Sequence, residues 1–147
     1  MAGRPPVMAV MQGNEGDKKT LAIACNLAQQ RGTSLRTLYV VEVPPSLPLA
    51  DWHGNEEKRA RATLGQAEVV VRSSGCALQG TVLPARSAGQ TIIDETIEWA
   101  VQAVVLAIPF KSRYGDAAMH VLRKALCEVV IWRAAGEANR VADDRQD

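Results

Sequence analysis

The sequence predicts an open α/β fold, a single domain with a five-stranded parallel sheet and helices on both faces. Three observations predict it. Short runs of apolar and β-branched residues alternate with longer stretches whose apolar residues recur at helical spacing. Glycine or proline punctuates nearly every boundary between them. The fourth apolar run, "AVVLAI" at 103–108, lacks the alternation of a half-exposed strand and reads as a parallel strand covered on both faces. Strand–helix alternation of this kind needs crossovers, which are right-handed in about 98% of cases and place helices on both sides of the sheet.

Each element follows in order. "VMAVM" (7–11) is a buried strand that stops at "QGNEG", where two glycines and an asparagine mark a loop. From Asp17, an N-cap by residue type, Leu21, Ala24, Cys25 and Ala28 fall at helical spacing, and Gly32 supplies a left-handed terminator. "LRTLYVVEV" (35–43) is the second strand, ended by "PPSLP" because proline cannot continue a central strand. Residues 56–74 form a helix with Ala60, Thr63, Leu64, Ala67 and Val71 inward, a tolerated Gly65 and a terminating Gly75; its charge run at 56–61 is a solvated face.

"ALQGTVL" (77–83) alternates weakly, as an edge strand does, and Pro84 closes it. "SAGQ" (87–90) has capping-box spacing ahead of Ile92, Ile93, Thr96, Ile97 and Ala100. After the fourth strand, residues 116–126 make a last helix with Ala117, Val121 and Leu122 inward, and "EVVIW" (128–132) makes the fifth strand. The domain is expected to span 1–133. Residues 134–147, with Val141 their one large apolar residue, are expected to be a polar tail.

The chain has 147 residues, enough to bury a core without metal or disulfide. A formal charge of +1 argues against nucleic-acid binding by bulk charge. Cys25, Cys76 and Cys127 are odd in number, widely spaced and lack a CxxC pair, which reads as core thiols in a reducing compartment. No stretch has the length of a membrane span and the start lacks a signal peptide's apolar centre, so a cytoplasmic location is expected.

In such a sheet, ligands bind beyond the carboxyl ends of the strands where strand order reverses. The loops that can meet there are 12–16, 44–50 and 109–115. Nearly the whole chain resembles the universal stress protein family. "VMAVMQGN" is similar to the family's first strand and V-D-G-S loop, "SAGQTIIDETIEWAVQAVVLAIP" to its third helix and fourth strand, and "VLRKALCEVVIW" to its "VLRHAPCPVLVV" ending. The resemblance implies strand order 3-2-1-4-5, the adenine nucleotide alpha hydrolase-like arrangement. It also implies a tendency to dimerise, with some members binding ATP and others not.

ATP-binding members carry Gly, two residues, Gly, nine residues, then Gly and Ser or Thr after the fourth strand. The final pair maps onto Gly115 and Asp116, because six residues then lead to Arg123. Thirteen positions separate the family's first and last glycines, whereas Pro109 stands six before Gly115, so about seven residues of phosphate loop are missing. Pro109 offers no amide hydrogen where the glycines would begin. Asp116 puts a carboxylate where the family offers phosphate a hydroxyl, at a helix start that favours one anion and repels a second. Gln12 stands for the family's Asp and Asn14 for its Ser, while Gly13 is kept.

The candidate degenerate nucleotide site therefore comprises Gln12, Gly13, Asn14, Val41, Pro109, Lys111, Ser112, Arg113, Gly115 and Asp116. Lys111, Ser112 and Arg113 put two cations and a hydroxyl on one loop that can clamp phosphate as side chains, or form an ordinary exposed basic loop. A lone Asp116 makes a poor Mg²⁺ site.

His53 and His120 have no second ligand at metal spacing, and Asp94, Glu95 and Glu98 read as solvated positions rather than an acid/base pair. No GxSxG, HExxH or Walker-type motif is present, so no catalysis is expected. Trp99 and Trp132 are expected to pack. Val129, Val130, Ile131 and Trp132 on the terminal strand are the expected homodimer edge.

The first reading is thus a non-catalytic regulatory domain without a cofactor, facing a protein partner such as a transporter or stress regulator. Its alternative is a small-ligand sensor for ATP, AMP or another anion held by Lys111 and Arg113.

Overall fold

A computed structural model describes residues 3–108, 115–133 and 135 of the chain. In chain order the elements are β1 (Val7–Met11), α1 (Asp17–Gln30), β2 (Leu35–Glu42), α2 (Asn55–Arg72), β3 (Leu78–Ala85), α3 (Ala88–Glu98), β4 (Ala103–Ile108), α4 (Gly115–Lys124) and β5 (Glu128–Arg133). A short 3-10 turn, Leu49–Trp52, interrupts the β2–α2 connection. The strands form one sheet, all neighbours parallel, in the order β3-β2-β1-β4-β5.

Period-two alternation splits the residues of the central strand between two cores. Val7, Ala9 and Met11 face α1 and α2, where Leu21, Ala24, Ala28, Ala67 and Val71 meet them. Met8 and Val10 face the other way, against Ile92 and Ile93 of α3 and Ala118 and Val121 of α4. Every residue of β1 is buried, which explains why its sequence is an uninterrupted apolar run.

Several local expectations are corrected. Pro84 lies inside β3, pairing with Val41. On an edge strand its missing N–H breaks no ladder bond. The N-cap of α1 is Gly16, not Asp17. Ser87 is the N-cap of α3 but makes no side-chain cap bond. Glu42 Oε1 of β2 accepts from the Ala88 amide at 3.2 Å instead, placing a carboxylate at the positive end of the helix. Ile97 and Leu122 are 60% and 52% exposed rather than inward, because Ile92, Ile93 and Thr96 seat α3, and Ala118 and Val121 seat α4. Among the described residues no helix is long and apolar enough to cross a membrane. The expected polar tail lies outside the described residues apart from Ala135.

Candidate functional site

Strand order reverses at β1, whose neighbours are β2 on one side and β4 on the other, so the crevice of the sheet opens at the carboxyl ends of β1 and β4. The loop leaving β1 forms one wall. Gln12 Nε2 donates to the Ala107 carbonyl at 3.0 Å, laying its carboxamide across the gap between the two strands. Gln12 Oε1 accepts from Asn14 Nδ2 at 3.3 Å, and Asn14 Oδ1 accepts from the Gly16 amide at 2.9 Å.

Asp17 turns its carboxylate back into this loop. Its Oδ1 accepts from the Gln12 amide at 2.9 Å and its Oδ2 from the Gly13 amide at 2.8 Å. Burial pushes the Asp17 carboxyl above its ordinary range, outweighing the amides of Gln12, Gly13 and Asn14, which favour the ionised form. A phosphate held by backbone amides needs free donors at this loop. Here the amides of residues 12, 13 and 16 already serve the chain's own oxygens.

Gly13 is enclosed from the far side. It sits at φ +77°, and a Cβ there would lie 2.7 Å from the Tyr39 hydroxyl. Arg59 Nη2 of α2 donates to the Gly13 carbonyl at 3.1 Å. Between the crevice and α3, the hollow lined by Gln12, Val40, Ala88, Leu106 and Ala117 measures about 20 Å³. That is room for a single water, whereas small-molecule sites span roughly 300–1,000 Å³. A larger groove of about 380 Å³ opens on the α1–α2 side of the same loop, bordered by Gly13, Asn14 and Asp17 together with Lys18, Gln66 and Val70.

The structure thus brings Gln12, Gly13 and Asn14 together, Asn14 bonded to the Gln12 side chain and the amides of Gln12 and Gly13 both bonded to Asp17. Val41 is buried in the core under α1 and α2, with 4% of its surface exposed. Gly115 begins α4, and Asp116 is exposed in its first turn. Pro109, Lys111, Ser112 and Arg113 lie outside the described residues.

Sequence reasoning missed Asp17, Tyr39 and Arg59 as parts of this loop. Asp17 had a local signal, an acid directly after a glycine-rich turn, but it was read as a helix cap. Arg59 had none, since it lies within the charged stretch of α2 and reaches Gly13 from 46 positions away.

Both histidines have polar partners away from this loop. His53 Nδ1 and Glu57 Oε2 are 2.7 Å apart, and Arg61 joins the same carboxylate; His53 holds the Glu57 carboxyl below its ordinary range. His120 Nε2 lies 3.0 Å from Gln90 Oε1, and Gln90 Nε2 donates to Asp94 at 2.9 Å. Burial, then Glu98 and Asp94, push the Glu95 carboxyl up. Among the described residues no group of three or more His, Cys, Asp or Glu side chains is placed to hold a metal.

Comparison with known proteins gives a consistent picture. A family model described as the universal stress protein family matches residues 4–133. No curated protein sequence matches the chain significantly. The universal stress protein UspA from Lactobacillus plantarum superposes with a TM-score of 0.74 at 21% identity, covering 89% of this chain and 99% of its own. The universal stress protein from Archaeoglobus fulgidus, solved in complex with dAMP, has a TM-score of 0.73 at 20% identity, with 87% and 97% covered. A universal stress protein family protein from Arabidopsis thaliana with AMP bound has a TM-score of 0.68 at 11% identity, with 92% and 95% covered.

Proposed function

Because the chain belongs to the universal stress protein family, we propose that it is a non-catalytic regulatory domain whose nucleotide crevice is filled by its own side chains. The observation that carries this reading is the Gln12 carboxamide bonded to Ala107 across the β1–β4 gap, beside a hollow of about 20 Å³. A nucleotide entering there would have to break that bridge and displace Asp17 from the loop amides.

In this reading the domain acts in the cytoplasm as a homodimer that presents its loops to a protein partner such as a transporter or stress regulator. Support for the dimer comes from β5, the end strand of the sheet, whose Val129, Val130, Ile131 and Trp132 are only partly covered. Monomeric sedimentation at micromolar concentration counts against it.

A second reading keeps a small-ligand sensor, because the Archaeoglobus fulgidus and Arabidopsis thaliana neighbours named above are solved with dAMP and AMP. Its ligand would be ATP, AMP or another anion held by Lys111 and Arg113. Titration calorimetry with ATP and with AMP separates the two. The first reading expects no heat of binding. Micromolar affinity that vanishes in the Lys111→Ala/Arg113→Ala variant, with the thermal midpoint of the apo protein unchanged, establishes the second.

A further inference from the structure

Two of the three cysteines meet, although 51 positions separate them. Cys25 is buried on α1, and Cys76, partly exposed, lies between α2 and β3. Cys76 Sγ approaches the Cys25 carbonyl at 3.8 Å, which brings the two side chains into the same patch of the core. The adjoining backbone is tied down, with Gln29 Nε2 of α1 donating to the Ser74 carbonyl. Both cysteines belong to the apolar cluster beneath α1 and α2. Cys127 packs in the cluster on the other face of the sheet.

We propose that Cys25 and Cys76 form a two-sulfur binding site for a soft monovalent d¹⁰ cation, Cu(I), held between them in near-linear coordination. Thiolate sulfur selects soft cations over hard ones. The ligand count then discriminates among soft ions. A structural zinc site takes four ligands, and among the described residues no third histidine, cysteine or carboxylate joins this pair to make such a group. Cu(I) is satisfied by two sulfurs.

Binding exchanges protons for the metal: from the protonated pair, one Cu⁺ enters and two protons leave, giving [RS–Cu–SR]⁻. The partial exposure of Cys76 supplies the route of entry that the buried Cys25 lacks.

The test is anaerobic titration of the reduced full chain with Cu(I) delivered as its bicinchoninate complex, followed by X-ray absorption of the loaded protein. The expected result is one Cu(I) per chain with a shell of two sulfurs. Cys25→Ala and Cys76→Ala should each weaken binding by at least about 100-fold, the upper end of what losing an outer-shell partner costs. Cys127→Ala should bind as the unsubstituted chain does. Undiminished affinity in Cys76→Ala, a shell containing nitrogen, oxygen or a third sulfur, or equal competition by Zn(II) overturns the proposal. The absorption measurement decides even if Cys25→Ala fails to fold.

Discussion

The Trp132 indole N–H donates to Thr20 Oγ1 at 2.8 Å, joining β5 to the first turn of α1 across 112 positions of sequence. The same ring lies beneath Gly16, where an added Cβ would meet it at 3.3 Å, and carries the Lys19 ammonium 4.9 Å from its centroid. An aromatic side chain on the terminal strand therefore anchors the helix start that supplies Asp17 to the β1 loop. Trp132→Phe removes the hydrogen bond and weakens the cation–π contact, at an expected cost of roughly 1–2.5 kcal/mol. Thr20→Val leaves a part-buried indole donor unpaired and costs about 1–3 kcal/mol. Urea unfolding of both single variants and the double variant should show a double-mutant loss smaller than the sum. Strict additivity would show that the bond contributes nothing.

Gly13→Ala tests how tightly the β1 loop is enclosed. The position combines φ +77° with a Cβ site only 2.7 Å from the Tyr39 hydroxyl, so alanine meets both a backbone penalty and a collision. A loss of roughly 2–4 kcal/mol is expected. Tyr39→Phe removes the colliding oxygen but not the backbone penalty, so Gly13→Ala/Tyr39→Phe should recover part of the loss relative to the sum of the singles. Thermal melts of the three variants check this. Full additivity would mean that the hydroxyl is not the obstacle.

What the sequence discloses here depends on how far each determinant reaches. The runs "VMAVM" and "AVVLAI" match β1 and β4 residue for residue, because strands buried on both faces must be continuously apolar and the chain on either side is not. The end of β3 was misjudged even though the strand reads as an edge: whether Pro84 breaks a ladder bond depends on its register against β2, which only the assembled sheet supplies. Ser87 has the composition of a capping residue, yet the carboxylate that reaches the Ala88 amide comes from Glu42, 46 positions earlier. The same limit applies at the crevice. Gln12 and Asn14 are legible as departures from the family motif, but the contacts of Gln12 with Ala107 and of Arg59 with Gly13 exist only once distant strands and helices are assembled.

Asp17 should leave a signature in the pH dependence of stability. Burial raises its carboxyl above the ordinary 3.8, so the folded chain holds this proton more tightly than the unfolded chain does. The stabilisation from this group is therefore complete below pH 3.8 and declines as pH rises through the raised value. Asp17→Asn removes the titration, and it also replaces one of two acceptor oxygens with a donor facing an amide, which costs about 1–3 kcal/mol. The expected pattern is a wild-type advantage that narrows as pH climbs through the carboxyl range. Denaturant titrations across that range check it. An advantage that widens would mean that the loop amides, rather than desolvation, dominate at Asp17.

Gln12 provides the sharpest test of the filled crevice, because its two obvious replacements separate a lost bond from a wrong charge. Gln12→Ala forfeits the donation to Ala107, and a loss of about 0.5–1.5 kcal/mol is expected. Gln12→Asp installs the residue type that the resembled family carries there. A carboxylate has no hydrogen to give the Ala107 carbonyl, and it stands on the residue whose own amide already binds the Asp17 carboxylate. Two acids at one loop repel when ionised, so Gln12→Asp should be less stable than Gln12→Ala at neutral pH and approach it in acid. Neither replacement alone should confer ATP binding, since the Gly13 amide remains committed to Asp17. If calorimetry finds micromolar ATP affinity in Gln12→Asp, then one side chain, and not the closed hydrogen-bond circuit of the loop, is what keeps the nucleotide out.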